Sequence, residues 1–144
     1  MGDPALLRLV LFRLGPYLSA APVGAVREIV PGGHPTRIPG ADRVVAGLVN
    51  LRGSLLTVVD GRLAIGLADT QGDGDLVLVL DFRERALGLV VDEVLDLVTV
   101  AVGDLTPGQA PPGIDPRLVQ AMGRHGGREF TVLDTERLLA PALG

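Results

Sequence analysis

The 144-residue sequence has no cysteine, no tryptophan and no lysine, and aromatics make up 3% of it. Without cysteine, disulfides and thiolate metal sites are excluded, and nothing positive follows about compartment. Without lysine, all 13 positive charges are arginine, against 17 carboxylates, for a net charge of -4. No basic face is evident, so binding to nucleic acid or anionic lipid is not expected. No apolar run approaches the ~20 residues needed to cross a bilayer. Direct membrane insertion is not expected, and the expected location is the cytoplasm. The run Leu6–Phe12 is short and broken by Arg8, and reads as a first strand instead of a signal peptide. The aromatics are Phe12, Tyr17, Phe82 and Phe130, so the core must be aliphatic.

What is present is turn-forming and apolar: 20 Gly, 11 Pro and a hydrophobic fraction of 47%. A chain of this length is normally one domain and can bury about 70% of its unfolded surface. The most informative stretch is Val44–Asp60, two apolar strands around a tight corner at Arg52-Gly53. A run so apolar should be buried on both sides. The Arg52 guanidinium must then be held at a surface by carboxylates, carbonyls or another protein. A partner within the chain, Asp92 or Glu93, is one alternative.

The pattern recurs. Shifted by 74 positions, Gly53, Thr57, Val58 and Asp60 meet Gly127, Thr131, Val132 and Asp134. Shifted by 68, Val23–Val30 meets Val91–Val98 with few identities. Expected strands are Leu6–Leu14, Tyr17–Pro22, Val26–Val30, Val45–Leu51, Leu55–Val59, Leu76–Phe82, Leu87–Val91, Val94–Val102, Leu118–Met122 and Glu129–Leu133. Asp60 and Asp134 are expected to N-cap short helical turns ending at Ile65 and Leu139. Gly103–Asp115, with Pro107, Pro111 and Pro112, cannot belong to a central strand.

Enzyme chemistries fit poorly. Asp60 and Asp134 faintly resemble the paired loops of aspartic proteases, but Asp60 lacks the following hydroxyl residue and Asp134 lacks the glycine. Asp69–Asp75 matches the start of a calcium loop, but Leu80 stands where a bidentate Glu is needed. His34 and His125 lie in glycine-flanked loops with no nucleophile or second ligand nearby, and read as exposed turn residues. No catalytic residue, cofactor or metal site is expected.

Four blocks, in order, resemble the CheW-like family of chemotaxis signalling adaptors. They are Phe12–Gly15 continuing through Ala20–Val23 and Val26–Ile29; Ile38–Gly40 with Val45–Gly53; Gly88–Val94; and Leu133–Leu139. The resemblance implies an all-β fold with short helices: two pseudo-duplicated SH3-like five-stranded β-barrels packed over a shared apolar interface. The expected subdomains are roughly 25–75 and 76–144, with strands of the N-terminal segment completing the second barrel. It also implies a non-catalytic role, bridging the cytoplasmic helices of methyl-accepting chemoreceptors to the regulatory domain of a CheA-type histidine kinase. The partner-binding residues this suggests are Gly47, Asn50, Leu51, Arg52, Gly88, Asp92 and Leu97, of which Gly47, Arg52, Gly88 and Leu97 would sit at or near the family's receptor-contacting groove between the barrels. Glycines would allow a helix backbone close approach, and Arg52 offers a planar five-donor fork. The alternatives are an adaptor for pili, gliding or another two-component pathway, and a plain SH3-like peptide binder. The second needs an aromatic-lined groove that this composition hardly supplies.

Overall fold

The computed structural model describes residues 5–68 and 76–143. The segment read as the start of a calcium loop, Asp69–Asp75, lies outside the described residues. The strands are β1 (Leu6–Leu14), β2 (Tyr17–Pro22), β3 (Val26–Pro31), β4 (Val45–Leu51), β5 (Ser54–Asp60), β6 (Leu76–Phe82), β7 (Arg85–Val91), β8 (Glu93–Ala101), β9 (Thr106–Pro107), β10 (Val119–His125) and β11 (Arg128–Leu133). Short helices α1 (Gly61–Ala64) and α2 (Thr135–Leu139) follow β5 and β11.

These form two sheets, ordered β3-β6-β7-β5-β4 and β8-β1-β2-β11-β10-β9. Each curls into a barrel whose ends are joined by one bent stretch of chain. In the first, Thr36, just beyond β3, exchanges both backbone hydrogen bonds with Leu48 of β4 at 2.8 Å. In the second, β9 follows β8 after a 3-10 turn at Val102–Asp104 and pairs with β10. The proline-rich stretch thus contributes a two-residue edge strand that its composition hides, making this sheet six-stranded instead of five.

The duplication is explicit in the register. Each barrel has one parallel contact, β5 with β7 and β11 with β2. Asp60 N–H donates to Val44 O at 2.7 Å, and Asp134 N–H donates to Leu118 O at 2.8 Å. Both Asp side chains cap the following helix, accepting from the backbone N–H of Leu63 and Arg137 respectively. Those side-chain bonds satisfy N–H groups that a helix start leaves orphaned.

The expected division after residue 75 follows the sequence repeat but not the sheets. β6 and β7 pair with β3 and β5, so Val26–Val91 supplies the first barrel. β1 and β2 pair with β8 and β11 in the other sheet. Each repeat therefore opens with a hairpin that it lends to the opposite barrel. Sheet pairing is non-local, so the loop before β6 marks where a repeat begins, not where a barrel ends.

The exchange explains why several strands are apolar on both faces. Leu9 and Leu11 of β1 point into the second barrel with Leu18, Phe130 and Val132. Val10, Phe12 and Leu14 face the other way, into a shared layer with Leu78, Leu80, Phe82 and Leu89 of the first sheet. The first barrel has its own interior of Leu56, Val58, Val77, Val79 and Val90. Burial on both sides holds for the end of β5, whereas β4 is largely half-buried. β4 stands at the end of the sheet order, so less of the fold covers it.

Candidate partner-binding surfaces

Arg52 occupies a left-handed conformation (φ 49°) and Gly53 follows it (φ 86°), closing a two-residue hairpin between Leu51 and Ser54. Positive φ at both central positions matches the twist of the flanking strands. Asn50 Oδ1 accepts the Gly53 N–H at 2.9 Å and steadies the turn. The Arg52 side chain is 68% exposed and donates from one terminal nitrogen to Glu28 Oε2 on β3. The hydrogen bond from Arg52 holds the Glu28 carboxyl below its ordinary range against a weaker desolvation effect. The intrachain partner is therefore Glu28, and not Asp92 or Glu93, which lie elsewhere.

Around this pair is an open groove of about 500 Å³ at the mouth of the first barrel. Its lining includes Leu51, Arg52, Leu55, Val79, Arg85 and Ala86. Leu55 is 70% exposed at its rim. Leu51 packs partly into the barrel interior below.

Gly47 and Gly88 present no open face. Gly47 is buried, with φ 143°, and a Cβ there would run into the Thr36 carbonyl that closes the barrel. At Gly88 a Cβ would lie 2.6 Å from Val58 Cγ1 and 2.7 Å from Val77 Cγ1, inside the first barrel. These glycines allow close approach, but of the chain's own backbone and core.

Asp92 is the one residue between β7 and β8, where the chain crosses between barrels. Its side chain is 7% exposed, accepts the Gly15 N–H at 2.5 Å, and lies 2.9 Å from Arg62 and 3.5 Å from Arg13. Burial is the largest influence on its carboxyl and acts to raise the pKa. The hydrogen bonds from Arg62 and Gly15, with the charges of Arg62 and Arg13, outweigh it and leave the pKa lowered. Asp92 is an internal brace with its acceptors already occupied.

Leu97 is different. It stands opposite Val10 in the β1–β8 pair, so both share the face that looks into the layer between the sheets. Ile29 stands opposite Leu78 and shares the corresponding face of the other sheet. Val10 and Leu78 are buried, whereas Leu97 is 57% and Ile29 42% exposed. Each sheet therefore carries one exposed aliphatic on the face that it turns to the shared layer. Leu6, on the Val10 face of β1, is exposed as well.

A family model described as the CheW-like domain matches residues 8–142. The chain belongs to the CheW-like family. It is 25% identical over 136 residues to the chemotaxis protein CheW of Bacillus subtilis, covering 92% of this chain and 86% of that protein. It is 35% identical over 103 residues to protein PilI of Pseudomonas aeruginosa, covering 70% and 57% of the respective chains. The crystal structure of the scaffolding protein TtCheW from Thermoanaerobacter tengcongensis matches it with a TM-score of 0.85. That match covers 95% of this chain and 90% of the other at 22% identity, and shows the fold.

On this CheW-like scaffold the seven residues suggested by sequence divide into four groups. Asn50, Leu51 and Arg52 come together at the first barrel's mouth, Leu97 flanks the inter-barrel layer, Gly47 and Gly88 are interior, and Asp92 is a brace. Sequence reasoning missed Glu28, Ile29 and Leu55. Glu28 and Ile29 follow a β-bulge at the start of β3, after which their faces alternate inward and outward. A period-2 reading of Val26–Val30 without the bulge misassigns both. Among the described residues no cluster of His, Asp and Glu could hold a metal ion, and no helix is long and apolar enough to cross a membrane.

Proposed function

We propose that this CheW-like chain is a non-catalytic adaptor that couples chemoreceptors to a CheA-type histidine kinase in the cytoplasm. The observation that carries the reading is the pair of distinct exposed apolar surfaces on one small scaffold of this family. Ile29 and Leu97, exposed aliphatics on the faces the two sheets turn to their shared layer, suit an amphipathic receptor helix, which needs a few aliphatic anchors at helical spacing. The mouth of the first barrel, with exposed Leu55 beside the Arg52–Glu28 pair, suits a flat barrel-end contact with the kinase regulatory domain. Arg52, expected from the resemblance near the receptor groove, is in this proposal moved to the kinase surface, and Leu97 stays with the receptor surface. Weak contacts at each would gain strength from simultaneous engagement in an array.

Calorimetry tests this with the regulatory domain of a CheA-type kinase from the same organism and, separately, a chemoreceptor cytoplasmic hairpin. The wild-type chain should bind both. Leu97→Glu should weaken hairpin binding at least about tenfold and spare the kinase, and Leu55→Glu should do the reverse. Binding to neither partner would overturn the proposal. A second reading, an adaptor for a pili, gliding or other pathway, is favoured by the likeness to PilI, whose name stands outside the Che series. Binding to a kinase of such a pathway in preference to the chemotaxis kinase would select it.

A further inference from the structure

The mouth of the second barrel repeats the Arg52–Glu28 arrangement with different chemistry. In the first barrel, β3 bulges between Val26 and Glu28, and Glu28 is the first residue to pair after the bulge. In the second, the β1–β8 pairing breaks after Val94 and resumes at Asp96. Asp96 therefore stands where Glu28 stands, and the shift of 68 positions relates them. The two-residue turn Arg52-Gly53 corresponds to Gly126-Gly127, which closes the β10–β11 hairpin between His125 and Arg128. No arginine is available at that turn position. The adjacent His125 reaches back instead, with Nε2 3.6 Å from Asp96 Oδ2.

We propose that His125 and Asp96 form a protonation-dependent tie, the conditional counterpart of the permanent Arg52–Glu28 tie. At 3.6 Å the contact is too long for a hydrogen bond. Its attraction is therefore coulombic and needs the imidazolium. Arginine keeps its proton throughout the physiological range, whereas histidine changes charge within it. Asp96 is held ready, because its Oδ1 accepts the Leu97 N–H at 2.8 Å.

The surrounding charges leave Asp96 as the carboxylate that faces the imidazole directly. Arg124, on the same strand, is engaged by Glu129 at 3.5 Å and by the Gly127 carbonyl at 3.1 Å. Arg128 stands opposite His125 in the hairpin, and Asp104 lines the same cavity from the turn after β8. That cavity, about 220 Å³, reaches Leu105 and Phe130 of the second barrel's core. Both side chains are about half exposed, so protonation adds a weak, solvent-screened attraction between the turn and β8 beside this opening, and deprotonation removes it. A partner loop entering the second barrel would thus meet a surface that reads pH, whereas the first barrel's mouth would not.

The test is an NMR titration of the full chain from about pH 5 to about pH 7.5, a window in which histidine is the side chain that ordinarily changes charge. Backbone amides of Asp96, Leu97, Gly126 and Gly127 should move together with the His125 ring signals. In His125→Gln that movement should vanish from Asp96 and Leu97. In His125→Arg the same amides should stay near their low-pH positions at every pH. Silent β8 amides in the wild type, persistent movement in His125→Gln, or high-pH positions in His125→Arg would each overturn the proposal.

Discussion

Asp92 and Arg62 join the two barrels at the point where the chain crosses between them. The guanidinium Nε lies 3.0 and 3.1 Å from the two carboxylate oxygens, and a terminal nitrogen lies 2.9 Å from Oδ1. Arg62 rides on α1 after the first barrel's β5, and the same carboxylate holds the Gly15 turn of the second barrel's β1–β2 hairpin. One buried charge thus fixes three elements from both repeats.

Replacing it should therefore loosen the seam. Asp92→Asn keeps the volume but removes the buried carboxylate charge that Arg62 and Arg13 both meet, and should cost about 2–3 kcal/mol at neutral pH. The folded-state pKa of Asp92 is lowered, so its contribution is fully present above the unfolded value of about 4 and is lost as pH falls through the folded value. Denaturant melts of both proteins should show the gap at pH 7 and its narrowing under acid. A gap that persists unchanged in acid would show that the carboxylate charge is not what stabilises the seam.

The interior glycines make a second prediction, opposite to one in which they contact a partner. Gly47→Ala combines a φ unfavourable for side chains with a clash against the backbone of Thr36, and should cost more than about 2 kcal/mol. Gly88→Ala presses on the buried, β-branched side chains of Val58 and Val77, which have little freedom to yield, and should cost about 1–3 kcal/mol. Partner affinity measured on the folded fraction should be unchanged for Gly88→Ala. Lost affinity at intact stability would return Gly88 to a contact surface.

Much of this architecture was legible in the residues. Strand positions followed from apolar runs bounded by Gly and Pro, and both Asp caps followed from their place before short amphipathic stretches. The Arg52 corner stood out because a charged residue interrupts an apolar pair. The reciprocal exchange of hairpins did not, because a strand's pattern records how many of its faces are buried and not which strand lies beside it. Glu28 was hidden for a related reason: its partner is 24 residues away and the β3 bulge reverses its face. Leu97 and Ile29 are ordinary strand aliphatics in sequence. Only the register shows that both stand on the faces turned to the shared layer.

Ser19 carries a third prediction. It is fully buried on β2, paired with Phe12 and Thr131 on either side, and its Oγ has no hydrogen-bond partner among the described residues. A buried hydroxyl without a partner loses its hydration without compensation. Ser19→Ala removes one oxygen and should leave stability unchanged or raise it by about 1 kcal/mol. A clear loss in a denaturant melt would reveal a buried water or an alternative rotamer that satisfies the hydroxyl.

The Arg52–Glu28 tie separates a structural from a binding role by its coupling. Arg52 is exposed and Glu28 only half-buried, so water competes for the pair, and Arg52→Ala should melt close to the wild type. Kinase-domain binding should nevertheless fall, because the pair fixes the rim on which Leu55 stands. If the two residues act on binding as one unit, Glu28→Gln should weaken it about as much as Arg52→Ala, and the double variant should be little worse than either. Additive losses would mean that Arg52 and Glu28 each touch the partner independently. A large loss of stability in Arg52→Ala, with affinity per folded molecule unchanged, would make the tie a purely structural corner.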